Sequence, residues 1–283
     1  MTKSTENWEQ EGRMTRARVE AREARRKPVG TTGTEAPLSR KSQKRELEPK
    51  PQSPTPGLGR VRLPNPGSLN FPLDESLPRR ALAAPAWKSK RWQFSKGGAF
   101  RSQGQTSHCV RFGCTHLLML TPIIRLEAFE ITERLYPWAQ ANDPWPGAEP
   151  TYYGTSVDAG LQYLRKIAKV IDEYRWARNM DEVLGRLSVS AKEGGGPMVL
   201  GSDWYQNMSE VGEDGLWHPT GELWGGHCYL AIGHEAPTAK RGRRIVLGNS
   251  HEGNFVGRMD ADEFEWLIFA QGGEAAAVTE LPK

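Results

Sequence analysis

The first sixty residues of this chain offer little that could be buried. They are poor in large apolar side chains and rich in Arg, Glu, Pro, Ser and Thr. A segment that cannot remove apolar surface from water cannot offset the entropy lost on ordering. Glu20–Lys27 has the charge pattern of a short helical turn without an apolar face, and Pro51, Pro54 and Pro56 punctuate a polar run typical of a linker. The expectation is a basic, largely disordered tail over residues 1–60, followed by one folded domain over 61–283 with its core at about 100–270.

Charge divides the same way. Residues 1–100 carry 21 Lys/Arg against 10 Asp/Glu, whereas residues 101–283 carry 17 against 24. A basic arm of this kind suits contact with a polyanion; a plain solvated tail is the blander reading of the same residues. No stretch approaches the roughly 18 apolar residues of a membrane span, and the N-terminus lacks the apolar middle of a secretory signal. Three cysteines in 283 residues argue against a disulfide framework and for a reducing compartment. A soluble cytoplasmic protein is expected, with no membrane partner; its oligomeric state is not legible.

Aromatic and apolar residues from Leu63 to Phe100, mixed with prolines, suggest an extended segment lying along a folded body. From Cys109 the pattern turns helical through Val110, Phe112, Gly113, Leu117, Leu118 and Met119. Thr155-Ser156 is a good N-cap pair, and Val157, Leu161, Leu164, Ala168 and Ile171 then mark one helical face. A shorter helix is expected over Met180–Leu187, and Pro197–Leu200 reads as a buried strand. Cys228–Ile232 and Arg244–Leu247 read as neighbouring strands joined by the basic turn Lys240–Arg243, and Asp262–Glu265 resembles a capping box opening a last helix. Helices first and strands later give an α+β fold.

One constellation carries chemistry. Hydrolysis by a thiol needs a thiolate, an imidazole that takes and returns its proton, a group that orients the imidazole, and donors for an oxyanion. A free thiol has a pKa of about 8.5, which a helix N-terminus or a paired imidazolium lowers. Cys109 stands where the loop Ser102–Ser107 gives way to a helical pattern.

These residues resemble the papain-like cysteine peptidases, in particular the compact bacterial and bacteriophage members. Gln103-Gly104, with Gln103 six positions before Cys109, is similar to that family's oxyanion glutamine; Gln105 does not fit the spacing. Gly225-Gly226-His227 entering the apolar run Cys228–Ile232 resembles the family's histidine element, with glycines that let another backbone approach closely. Leu247-Gly248-Asn249-Ser250 resembles its asparagine element. His227 and Asn249 fall 118 and 140 positions after Cys109, near a family range of about 130–150. The resemblance implies a two-lobed fold, helical then strand-rich, and cleavage of peptide or protein substrates. It assigns Cys109 as nucleophile, His227 as base, Asn249 as the group fixing His227, and Gln103 with the Cys109 amide as oxyanion donors. No cofactor or metal is called for, and a bacteriophage member could be virion-associated.

The chain departs from the family at Val110, where an aromatic is usual, at Thr106-Ser107-His108, and at His251, which replaces a shielding Trp. The segment Glu252–Phe255 is a shortened form of a longer glycine-rich stretch. No inhibitory pro-segment is recognisable in the sequence. An inactive scaffold on the same fold, or an amidase or isopeptidase acting on cell-wall or cross-linked peptides, is the alternative.

Other residues of reactive type have plainer accounts. His108, Cys109, Cys114 and His116 cluster within nine positions, but on a helix the two cysteines lie about 140° apart and grip one ion poorly. Cys114 and Cys228 read as core. His234 is the rival base, His218 has no supporting context, and Asp203 and Glu210 read as loop residues. Trp204 and Trp224 suit either the pocket or the core.

Overall fold

A computed structural model describes residues 58–62, 72–73, 88–145 and 147–280. The chain divides into two units, residues 1–46 and 47–283, and every described residue lies in the second. The expected tail, apart from Leu58, Gly59 and Arg60, therefore lies outside the described residues. So do Leu63, Leu69, Phe71, Leu77, Leu82 and Trp87 of the expected extended segment, while Leu73 and Trp92 are buried.

Helices dominate the first half. They are α1 (Cys109–Met119), α2 (Ala128–Ile131), α3 (Leu135–Asn142), α4 (Val157–Lys166) and α5 (Met180–Ser188), with a short α6 (Ala261–Glu265) near the end. The strands are β1 (Lys90–Arg91), β2 (Glu173–Trp176), β3 (Met198–Tyr205), β4 (Leu223–Glu235), β5 (Arg244–Gly248), β6 (Val256–Asp260) and β7 (Glu274–Glu280). They form one antiparallel sheet in the order β2-β7-β3-β4-β5-β6, with β1 added to the far end of β4. This is the expected α+β architecture.

β4 organises the molecule. Its alternate side chains face two cores: Cys228, Leu230 and Ile232 pack with α1, α3 and α4, while Tyr229 and Ala231 pack with Leu200, Trp204, Trp217 and α5. Period-two alternation on a strand buried on both faces produces this division. α1 lies close to β4 because residue 113 is glycine: a Cβ there would stand 2.7 Å from Cys228 Sγ.

Local chemistry sets the helix starts. Ser156 accepts from Ala159 N at 3.1 Å to open α4, and Asn179 accepts from Glu182 N at 2.9 Å to open α5. Two sequence expectations need correction. α4 stops at Lys166 rather than running to Ile171, because Lys169 takes a left-handed φ of 53° and Val170 N turns back to Leu164 O at 3.0 Å. Ala168 and Ile171 still reach the same core, through a turn rather than a helix. The cap position of α6 is Asp260, not Asp262, and it makes no side-chain cap bond.

Candidate active site

α1 begins at Cys109, so the sulfur sits on its first turn, where amides without helical partners collect. The backbone N–H groups of Cys228, Gly59 and Val110 all approach this sulfur and favour its thiolate, as does the charge of Arg60. Complete burial outweighs them and pushes the Cys109 thiol up to about 11. The covered state therefore holds a neutral thiol.

His227 directly precedes Cys228 on β4, so the strand that brings an amide to the sulfur also carries the imidazole. His227 Nε2 donates to Asn249 Oδ1 at 2.8 Å, and both residues are buried. That bond fixes the tautomer and leaves Nδ1, which is buried and has no hydrogen-bond partner among the described residues. No hydrogen bond joins Cys109 to His227 among the described residues; the His227 ring packs against Trp204, Tyr229 and His251. Burial and the neighbouring His251 hold the His227 pKa well below the usual imidazole range, against the opposing effect of Asn249.

Asn249 follows β5, one strand over from His227, and Ser250 N also donates to its Oδ1 at 2.7 Å. Ser250 has a role the sequence reading did not assign. Its hydroxyl donates to Gln103 Oε1 at 2.5 Å, and its carbonyl accepts from Gln103 N at 2.9 Å. Two adjacent residues thus hold the imidazole and the glutamine amide. Gln103 Nε2, turned away from Ser250, donates to Thr106 O at 2.7 Å across the loop before Cys109.

Aromatic cover over the histidine comes from a different place than sequence position suggests. The Trp204 ring stands edge-on to His227 with centroids 4.6 Å apart, and His251 stacks on His227 at 4.4 Å. Trp204 in turn contacts Trp217, whose Nε1 donates to Asn254 Oδ1 at 2.9 Å. Rings from β3 and from the segment after β5 together shield the His227–Asn249 bond.

The rivals are engaged elsewhere. His234 bonds Ser188 Oγ at 2.8 Å and Arg243 Nη1 at 3.0 Å, with its pKa lowered to about 4 by burial. His116 accepts from Arg101 N at 3.0 Å inside a cage of Phe94, Phe100, Phe112 and Phe129, and burial lowers it to about 3. His218 sits between Asp214 and Glu263 at the surface. Burial pushes Cys114 up to about 12. Among the described residues no group of three or more His, Cys, Asp or Glu is placed to hold a metal.

The space between Gly226 of β4 and Thr155 is filled by the chain itself. Gly59 N and Arg60 N both donate to Gly226 O, at 3.1 and 3.0 Å, one residue before His227. On the other side Val61 N donates to Thr155 O and Thr155 N to Gly59 O, each at 2.8 Å. Leu58, Arg60 and Val61 are buried. Three glycines make the fit possible: a Cβ at Gly59 would collide with Ser107 O, at Gly154 with Gly59 O, and at Gly226 with Arg60 O. Gly154 also needs its φ of +83°. The close backbone approach expected at Gly225-Gly226 is thus real, and its partner is residues 59–60.

Among solved structures, the chain is similar to xylellain, a cysteine protease from Xylella fastidiosa, with a TM-score of 0.57 and 14% identity, over 84% of this chain and 100% of that one. The fold is papain-like. A recombinant stem bromelain precursor matches at 14% identity and TM-score 0.49, over 72% of this chain and 74% of that one. Procathepsin L 3 from the larval midgut of Tenebrio molitor matches at 13% and 0.46, over 68% and 70%. No family model matches the sequence, and no curated protein matches it. No described helix is long and apolar enough to cross a membrane.

Proposed function

We propose that this chain is a cysteine peptidase that cleaves peptide bonds through Cys109, His227 and Asn249, with Gln103 and the Cys109 amide as oxyanion donors. The observation that carries the reading is the state of His227. One ring nitrogen is tied to Asn249, the other is unpartnered, and the next residue on the strand sends its amide to a thiol at a helix N-terminus. A buried imidazole with one ring nitrogen held by a carboxamide and the other unpartnered is suited to exchange a proton.

The steps follow from the groups present. Cys109 Sγ passes its proton to His227 Nδ1 and attacks the carbonyl carbon, forming a C–S bond while the carbonyl oxygen gains negative charge. The Cys109 N–H and the second hydrogen of Gln103 Nε2 stabilise that charge. The oxyanion collapses, the C–N bond breaks, and His227 gives its proton to the leaving amine. Water, deprotonated by His227, then attacks the thioester and releases the acid and the thiol. The shield of Trp204 and His251 keeps water from competing for the His227–Asn249 bond. We place the protein with the compact bacterial and bacteriophage members of the family, in a cytoplasmic or virion-associated setting. Its three free thiols support a reducing compartment.

The test is digestion of an unfolded protein by the Gly59→Ala protein, in which residues 58–61 are displaced, and by the same protein carrying Cys109→Ala. Cleavage by the first, abolished in the second, is expected; equal cleavage by both removes the assignment. Gln103→Ala should stay folded and lose about 10²–10³ in turnover. A non-catalytic binding protein on this fold is the second reading, favoured by the lack of a Cys109–His227 hydrogen bond. Under that reading no digestion is seen, and in the Gly59→Ala protein Cys109 alkylates no faster at pH 6 than Cys114 or Cys228.

A further inference from the structure

We propose that the end of the sheet where β1 and β5 flank β4 is a docking surface for the phosphate backbone of double-stranded DNA. Two basic runs meet there, Lys88-Ser89-Lys90-Arg91 and Lys240-Arg241-Gly242-Arg243-Arg244, although Lys88 and Lys240 lie 152 positions apart in the chain. Strand pairing brings them together. Lys90 and Arg91 pair with His234 and Gly233 on one side of β4, and Arg244 pairs with Glu235 on the other. Ala236 N donates to Ser89 Oγ at 2.8 Å, which ties the approach to β1 to the turn after β4. The two runs therefore stand about two strand spacings, about 10 Å, apart.

The cations at this end are ordered without being cancelled. Glu235 holds Arg258 at 2.7 Å and Arg241 at 2.9 Å, and Asp260 holds Arg244 at 3.4 Å. Arg243 Nη1 donates to His234 Nδ1 at 3.0 Å, and Ser188 Oγ fixes the same ring from its other nitrogen. Lys90 lies over the Trp92 ring and donates to the carbonyls of Ser188 and Val189 at the end of α5. Lys88, Arg91 and Lys240 are exposed and make no ion pair among the described residues. With Arg258, eight basic side chains share this end with three acidic ones, Glu235, Asp260 and Asp262, although residues 101–283 are acidic overall.

The chemistry of these side chains selects the partner. Arginines dominate, and a guanidinium presents paired donors that match a phosphate. Duplex DNA carries a charge every ~1.7 Å along its axis, so cations spread over two strand spacings can each find a phosphate. The turn between β4 and β5 exposes Pro237, Thr238, Ala239 and Gly242, with no large apolar side chain to enter a bilayer. Trp92, the aromatic residue beside the first run, is buried and offers no face on which an unpaired base could stack. Contact is therefore with the backbone and independent of base sequence.

The test compares the full-length chain with two triple variants of equal net charge, so that the basic N-terminal residues contribute alike to all three proteins. Lys88→Gln, Arg91→Gln and Lys240→Gln strip the surface, whereas Arg134→Gln, Arg165→Gln and Lys169→Gln remove the same charge from exposed positions at the start of α3 and the end of α4. Anisotropy of a labelled DNA duplex of arbitrary sequence is followed between about 50 and 200 mM salt. Wild type is expected to bind with a Kd of about 10⁻⁶–10⁻⁴ M. The first variant should lose about three from the slope of log K against log salt, about one per phosphate contact, while the second keeps the wild-type slope. A footprint on the unaltered chain needs no variant: bound duplex should slow acetylation of Lys88 and Lys240 but not of Lys169. No binding, equal losses in the two variants, or unslowed acetylation of Lys88 and Lys240 overturns the proposal. So does binding to anionic lipid vesicles or to polyglutamate that is as tight as binding to the duplex.

Discussion

Gly59→Ala should raise the reactivity of Cys109 sharply. A Cβ at residue 59 has no room beneath Ser107 O, so the segment must lift away. Lifting it exposes the sulfur to water and leaves in place the Val110 and Cys228 amides that already favour its thiolate. Burial now holds the thiol at about 11, which leaves a thiolate fraction of about 10⁻³ at pH 8. Return to an ordinary value of about 8.5 raises that fraction to about one quarter, a gain of about 240-fold. A less basic thiolate is also a weaker nucleophile, and a Brønsted slope of 0.4–0.5 takes back about 13-fold, leaving a net rise of about 20-fold. The assay is alkylation by iodoacetamide at pH 8, resolved by peptide mass, with Cys114 and Cys228 as buried controls. An unchanged Cys109 rate in a folded Gly59→Ala protein, or a wild-type Cys109 that already reacts like a free thiol, would refute the reasoning.

Asn249→Ala removes the acceptor for His227 Nε2 and for Ser250 N; loss of about one neutral hydrogen bond of orienting energy predicts a drop in turnover of about tenfold in a folded protein, measured by steady-state hydrolysis. Gly113→Ala should destabilise by about 1–3 kcal/mol through overpacking against Cys228 Sγ, and Cys228→Ala in the same chain should recover part of that loss in urea unfolding, giving a non-additive cycle. His218, flanked by Asp214 and Glu263, has its pKa raised, chiefly by Glu263. Its contribution to stability is complete below the unfolded value of about 6.5 and is lost as pH rises through the folded pKa. His218→Gln should therefore lower Tm more at pH 5.5 than at pH 8.5; the same loss at both pH values would contradict this.

Much of the architecture was written in short-range signals. Ser156 announces α4, the glycines before His227 announce a close backbone contact, and the apolar run Cys228–Ile232 announces a strand buried on both faces. The contact of Asn249 with His227 was legible because it depends on a place just after a strand that pairs with the strand of His227. Contacts across the sheet were not. The pairing of Arg60 with Glu274 spans 214 positions, and neither residue has a local pattern that distinguishes it from a solvated charge. Trp204 covers His227 because β3 pairs with β4, whereas sequence position pointed to residue 251 for that cover; there the stacked His251 supplies only part of it. Periodicity misled at α4, since Ala168 and Ile171 keep helical spacing while the backbone has already turned at Lys169.

The central claim is that Cys109 is acylated during turnover. A direct measurement mixes the full-length Gly59→Ala protein with a peptide ester, quenches it in acid within milliseconds to seconds, and locates the acyl mass by peptide mapping. The account predicts a thioester on Cys109 that forms and decays with product release, and fails to form when His227 is replaced by Ala. Turnover with Cys109 unmodified throughout, or with the acyl group on another residue, would contradict it.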